Sequence, residues 1–120
     1  MLRVSVIVPT RDRPELLAQA LASVRANESR GFELELVVAG DGASLESRSV
    51  AERFGAVWVE SRKHGAAAAR NAGLGAATGR FIAFLDDDEF PAAGWLLNLF
   101  RVCQKGDCSE SYQRQTTFPT

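Results

Sequence analysis

The chain has 120 residues, of which 46% are hydrophobic and 24% are charged, and its formal net charge is −1. This composition is typical of one globular domain, and the charge balance gives no reason to expect binding to nucleic acid or to an anionic membrane. No apolar run is long enough to span a bilayer and the N-terminus lacks a signal-peptide pattern, so we expect a cytoplasmic location.

The first half of the chain alternates between apolar runs and segments with helical spacing. Strands are predicted at residues 4–8, where Pro9 ends the run, and at 34–39 and 56–60. A helix is predicted over about 14–24, with Asp12 and Glu15 spaced as in a capping box, and a second helix over about 45–54, with Ser44 as its N-cap. This alternation predicts βαβ units and an α/β fold with an open, mostly parallel sheet flanked by helices.

Residues 64–91 are the most informative stretch of the sequence. They read as an alanine-rich helix, a glycine break, an apolar strand at 81–85, and then the four acids Asp86, Asp87, Asp88 and Glu89. The strand has no polar alternation, which is typical of a strand buried on both faces. A further helix is predicted around 95–100, and the polar residues 104–120 read as a disordered tail after a domain of residues 1–103.

The acids predict a metal-dependent site for a phosphorylated ligand. Alternate residues of an extended segment point the same way, so Asp86 and Asp88 are expected to converge on one hard divalent cation. Asp41 follows another strand, and Pro9–Arg11 follow a third, at the edge of the sheet where ligands bind in this fold class. Arg70, in the helix before the acidic strand, is a candidate phosphate ligand.

Other interpretations remain open on these features alone. An acidic cluster after a strand is often a solvated loop, and Arg70 fits a solvated helix arginine equally well. A phosphotransferase with an aspartyl nucleophile also places two spaced aspartates after a strand, although here Glu89 and Phe90 follow instead of a threonine. Gly73, Gly75 and Gly79 do not fit a dinucleotide fingerprint, because they follow a helix and precede a strand, and they are interpreted as helix-end and close-packing glycines.

Three segments together resemble the family 2 glycosyltransferases, which are inverting enzymes with the GT-A fold. These segments are VSVIVPTRDRPELLAQALASV, ELVVAGDGAS and GAAAARNAGLGAATGRFIAFLDDDEFPAAGWL, in the order found in the family. The resemblance implies a Rossmann-like half that binds a nucleotide-diphosphate sugar, with a UDP-sugar as the expected donor. Residues 1–103 are therefore expected to be the donor-binding half of such an enzyme.

The resemblance assigns roles residue by residue. Asp86 and Asp88 match the Asp-x-Asp that holds Mg²⁺ or Mn²⁺ against the donor diphosphate, and Asp87 between them is included among the donor contacts. Asp41 matches an acid that contacts the nucleoside base. The remaining donor contacts implied by the match are Pro9, Thr10, Arg11 and Arg70.

Two departures from the family pattern concern the nucleoside. Gly40 replaces the first acid of the family's Asp-Asp pair, and Arg11 stands where many members carry an aromatic ring. A third departure is length, because the resemblance ends near residue 100 and the acceptor half is not recognised. The expectations are an inactive donor half whose strand 81–85 leaves an edge open to self-association, or a non-catalytic nucleotide-binding remnant.

Overall fold

The computed structural model describes residues 2–27, 29–42 and 44–104. Four strands alternate with four helices, as the sequence predicts, and the predicted tail lies outside the described residues except for Gln104, which ends the last helix. The elements are β1 (Arg3–Thr10), α1 (Pro14–Arg25), β2 (Glu33–Gly40), α2 (Leu45–Arg53), β3 (Val57–Glu60), α3 (Ala66–Ala76), β4 (Phe81–Phe84) and α4 (Trp95–Gln104).

The four strands form one parallel sheet in the order β3-β2-β1-β4, so the predicted open α/β fold is confirmed. One face of the sheet is covered by α1, α2 and α4, whose residues Leu17, Val50 and Leu96 join its main apolar core. The other face carries Ile7, Val37, Ile82 and Phe84, which pack against α3 around Leu74. β4 is therefore buried on both faces, as its unbroken apolar sequence predicts.

The sequence predicts that Pro9 ends strand β1. In the structure the strand instead includes Pro9 and continues to Thr10. The Thr10 carbonyl accepts from the Asp41 amide toward β2, whereas the Ile7 carbonyl accepts from the Leu85 amide toward β4. Pro9 lies two residues after Ile7, so its missing N–H faces the side of β4, whose pairing with β1 has already ended at Phe84. The proline is tolerated because the ladder requires no donor there.

The start of α1 also differs from the sequence prediction. Arg13 is the N-cap residue and no side chain caps the helix, so the predicted capping box of Asp12 and Glu15 is wrong. Asp12 has φ +49°, a left-handed conformation that places it in the turn before the helix. Ser44 does cap α2, since its side chain accepts from the amide of Ser47.

Two of the three glycines near α3 are required by close packing. A Cβ at Gly73 would overlap the Ile7 side chain, and a Cβ at Gly79 would lie 2.5 Å from Ser5 Oγ. Gly75 faces open space, so the close-packing interpretation does not hold for that residue. Gly73 thus allows α3 to lie directly on the sheet, with Arg70 near the carboxyl ends of the strands. Within the described ranges, none of the helices has the length and apolarity needed to cross a membrane.

Candidate donor-binding site

A cleft of about 400 Å³ opens at the carboxyl ends of β1, β2 and β4. All eight residues predicted for the site line this one cleft, which establishes their proximity but not their roles. They are Pro9, Thr10, Arg11, Asp41, Arg70, Asp86, Asp87 and Asp88, and the lining is completed by Arg13, Gly65, Ala66 and Ala69.

The acidic segment is a tight turn, not the extended segment that the sequence predicts. The Glu89 amide donates to the Asp86 carbonyl at 3.0 Å, and the Asp86 amide donates to Glu89 Oε1 at 2.9 Å. These two reciprocal bonds close the turn on itself. Strand β4 ends one residue early, at Phe84, because the chain leaves the sheet to enter this turn.

The turn gives its three aspartates different surroundings. The Asp86 side chain is 50% exposed and Asp88 is exposed, whereas Asp87 between them is buried. Asp86 Oδ1 lies 3.5 Å from Arg70 Nη2. Arg70 Nε is buried and has no hydrogen-bond partner among the described residues, so this guanidinium retains an unused donor beside the cleft.

The Asp87 carboxylate is held by Thr10, the last residue of β1, and by Arg13, which directly precedes α1. Thr10 Oγ1 donates to Asp87 Oδ2 at 2.7 Å, and Arg13 donates through Nε to Oδ2 at 3.2 Å and through Nη2 to Oδ1 at 2.5 Å. Both carboxylate oxygens thus accept hydrogen bonds from the protein itself. Arg13 is absent from the predicted site, because nothing in the sequence indicates that a residue just before Pro14 reaches an acid 74 positions later.

Asp41 joins the end of β2 to the start of α3. Its side chain is only 8% exposed, and Oδ2 accepts from the Gly65 amide at 3.1 Å. The imidazole of His64 is 90% exposed and its Nδ1 lies 3.4 Å from Asp41 Oδ1. A second hollow of about 450 Å³ continues past Asp41, lined by Arg11, Asp12, Gly42, Ser44, Leu45, Glu46 and His64.

The acids of the cleft suit a divalent cation that takes most of its ligands from elsewhere. No group of three or more acidic, histidine or cysteine side chains in the described ranges is arranged to hold a metal ion alone. Asp86 and Asp88 remain solvent-accessible on either side of the buried Asp87. Two carboxylates with phosphate oxygens and water are the ligand set that Mg²⁺ commonly uses.

The structure gives a physical reason for the glycine at position 40. A Cβ at Gly40 would lie 2.6 Å from two ring atoms of Trp58, on the neighbouring strand β3. The indole therefore occupies the space that any side chain at position 40 would need. The loss of the family's first acid at this position accompanies a tryptophan packed across the end of β2.

The open parallel sheet and its flanking helices have the GT-A fold, which the chain shares with solved structures of this fold class. The sequence model of glycosyl transferase family 2 matches residues 5–118, and the chain belongs to this family. The matched range extends to residue 118, whereas the sequence motifs alone predict that the resemblance ends near residue 100.

Two relatives of this chain illustrate the similarity in sequence. The chain is 33% identical over 113 residues to GalNAc(5)-diNAcBac-PP-undecaprenol beta-1,3-glucosyltransferase of Campylobacter jejuni, covering 88% of this chain and 36% of that protein. It is 36% identical over 100 residues to pre-mycofactocin glycosyltransferase of Mycobacterium tuberculosis, covering 80% of this chain and 20% of that protein. The chain thus spans about a third or less of these relatives.

Solved structures agree with the fold. The mannosyltransferase PcManGT of Pyrobaculum calidifontis, in complex with GDP-Man and Mn²⁺, superposes with a TM-score of 0.72 at 30% identity, over 83% of this chain and 32% of that one. S. aureus TarS in complex with UDP superposes with a TM-score of 0.77 at 23% identity, over 87% of this chain and 32% of that one. The second likeness concerns the fold alone.

Proposed function

We propose that this domain binds a nucleotide-diphosphate sugar in the cleft between β1, β2 and β4, as the donor-binding part of an inverting glycosyltransferase. The observation that carries this proposal is the convergence of all eight predicted residues on one cleft. Membership of glycosyl transferase family 2 supplies the reaction class. The inverting outcome and the choice of a UDP-sugar rest on the family resemblance.

In this proposal Asp86 and Asp88 hold Mg²⁺ or Mn²⁺ against the donor diphosphate. Such an ion offsets the charge that develops on the leaving nucleotide. The exposure of both carboxylates at the cleft supports this role. Arg70 is assigned to the same diphosphate, because it lines the cleft and its Nη2 lies 3.5 Å from Asp86 Oδ1.

The nucleoside is assigned to the segment Pro9–Arg11 and to Asp41. Asp41 is held in place by the Gly65 amide and its backbone amide is bonded to Thr10, so its carboxylate has a fixed position at the wall of the cleft. A carboxylate in that position accepts from a ring N–H of a base such as uracil. Arg11 is exposed at the rim, where its planar guanidinium is able to stack on the base.

Calorimetry with UDP tests the proposal directly. We expect UDP to bind with Mn²⁺ present and to bind much more weakly in chelator, with GDP titrated in parallel to test the base assignment. Asp88→Asn should weaken the metal-dependent binding by about tenfold or more, since the cation loses an anionic oxygen ligand and its affinity follows the charge of the ligand set. Asp41→Ala should weaken UDP binding in chelator as well.

A matched control is available away from the cleft. Arg48 forms an exposed ion pair with Glu52 on α2, so Arg48→Gln should bind UDP like the unmodified chain. Equal UDP affinity with Mn²⁺ and with chelator would remove the metal role. An Asp41→Ala variant with unchanged affinity would remove Asp41 from the nucleoside site.

A further inference from the structure

The three aspartates of the turn do not have equivalent surroundings, and the middle one is the exception. The Asp87 side chain is 1% exposed, although it lies between two acids that face the cleft. A buried carboxylate is stable only when it is paired and hydrogen-bonded. Here that requirement is met by Arg13 and Thr10, which contact both of its oxygens.

The contacts join two segments that are far apart in the sequence but follow the neighbouring strands β1 and β4. Thr10 is the last residue of β1 and Arg13 directly precedes α1, whereas Asp87 belongs to the turn after β4. Arg13 approaches Asp87 with two nitrogens, a fork that fixes orientation as well as distance. The turn is itself closed by reciprocal bonds between Asp86 and Glu89, so fixing Asp87 fixes the whole turn.

We propose that Asp87 and Arg13 are positioning residues, which set the location of the Asp86 and Asp88 carboxylates relative to the segment Pro9–Arg11. This inference rests on the proposed function, because it assigns Asp86 and Asp88 to the metal ion. Asp87 then contacts neither the metal ion nor the donor. Its charge is compensated by Arg13, and the two flanking acids are left to face the cleft.

We refer to the hydrogen bonds of Asp87 with Arg13 and Thr10 as the clamp. A measurement without any ligand tests the clamp first. Hydrogen exchange followed by NMR reports on the amides of Asp86 and Glu89, which close the turn. We expect both amides to exchange faster in Arg13→Gln than in the unmodified chain and in the Arg48→Gln control. Arg13→Lys keeps a positive charge beside Asp87 but loses the two-nitrogen contact, so the exchange rates of the two amides should be intermediate. This milder variant keeps the test valid if Arg13→Gln fails to fold.

A second measurement separates positioning from general stability. The free Mn²⁺ signal in electron paramagnetic resonance, recorded with saturating UDP, gives the Mn²⁺ affinity of each variant. We expect Arg13→Gln and Asp87→Asn each to lower this affinity by about tenfold, as for other residues that orient metal ligands. The double variant should be no weaker than the weaker single variant, and UDP affinity in chelator should stay unchanged.

The outcomes distinguish this inference from the proposed function. If Asp88→Asn loses Mn²⁺ while Arg13→Gln and Arg13→Lys retain it with unchanged exchange in the turn, the clamp is refuted and the donor site stands. If UDP affinity in chelator falls in Arg13→Lys, Arg13 contacts the donor and the positioning role is refuted. If the unmodified chain shows no metal-dependent UDP binding, the proposed function fails, and the exchange rates alone decide whether the clamp exists.

Discussion

Glu35 on β2 accepts two hydrogen bonds from Thr78, one from the backbone amide at 2.9 Å and one from the hydroxyl at 3.0 Å. The Ser5 hydroxyl on β1 donates to the same carboxylate at 2.7 Å, and Arg3 donates to Thr78 Oγ1 at 2.8 Å. This network lies at the end of the sheet opposite the cleft. It ties the segment between α3 and β4 to the two central strands.

The network makes stability depend on pH. Burial raises the pKa of Glu35, but the hydrogen bonds from Thr78 and Ser5 and the charge of Arg3 outweigh it and hold the pKa below its ordinary value of 4.5. The ionised form therefore stabilises the fold above pH 4.5, and this contribution is lost as the pH falls through the lower, folded-state pKa. The unmodified chain should be more stable than Glu35→Gln at pH 7 by about 1 kcal/mol. This is less than hydrogen bonds to a fully buried charged group contribute, because Glu35 is partly exposed.

Urea unfolding at a series of pH values measures this difference. The gap between Glu35→Gln and the unmodified chain should be constant above pH 4.5 and shrink below it. Glu52→Gln on α2, whose partner Arg48 is 3.8 Å away and exposed, is the control and should show little gap at any pH. A gap for Glu35→Gln that widens in acid would contradict the assignment.

Gly73 and Gly75 provide a matched pair within α3. A methyl group at Gly73 would overlap Ile7, so Gly73→Ala should destabilise the fold by about 1–3 kcal/mol, as for other overpacked cores. A methyl group at Gly75 meets nothing within 4 Å, so Gly75→Ala should be neutral or stabilise by up to about 1 kcal/mol through helix propensity. Thermal unfolding of both variants checks this, and equal effects would mean that α3 does not pack as described.

Gly40 and Trp58 should be energetically coupled. Gly40→Ala brings a Cβ to 2.6 Å from the indole and should cost about 1–3 kcal/mol. In a Trp58→Leu background the ring is gone, so the same change should cost much less. A double-mutant cycle from urea unfolding measures this coupling. Additive effects would show that the indole does not exclude a side chain at position 40.

Strand β4 has a pairing consequence for the 120-residue chain. It pairs with β1 on one side, and no other strand of the described ranges lies beside it. Unpaired strand edges promote pairing with another chain, so we expect self-association as the concentration rises. Size-exclusion chromatography with light scattering, together with hydrogen exchange over residues 81–84 at two concentrations, measures it. A monomer with concentration-independent exchange would show that this edge does not pair.

Sequence patterns predict the fold well here because each apolar run has a clear period. The unbroken apolar run at 81–85 and the alternation of strands with helices are sufficient for a parallel sheet, and the carboxyl ends of its strands bring Asp41 and Asp86 to one edge. Pro9 gives a wrong strand end, because β1 remains paired with β2 after its pairing with β4 has ended. The Asp12–Glu15 pair gives a wrong helix cap, because Asp12 adopts a left-handed conformation in the turn before the helix.

The distinction among Asp86, Asp87 and Asp88 is not encoded locally. It depends on a tight turn and on Arg13, which approaches from a segment 74 residues away. The same holds for Trp58, which excludes a side chain at position 40 only because β3 lies next to β2. The burial of Asp87 and the exclusion of a side chain at position 40 both depend on contacts between distant segments. The periodicity of the sequence gives no information about such contacts.

The most direct test of the donor site is paramagnetic broadening by Mn²⁺ in amide NMR spectra of the chain with UDP. The amide signals of Asp86, Asp88 and Arg70 should broaden first at low Mn²⁺ and recover in chelator. Those of Glu35 and Thr78, at the opposite end of the sheet, should stay sharp. Broadening centred away from the turn at 86–89, or none that depends on UDP, would contradict a metal-dependent donor site in this cleft.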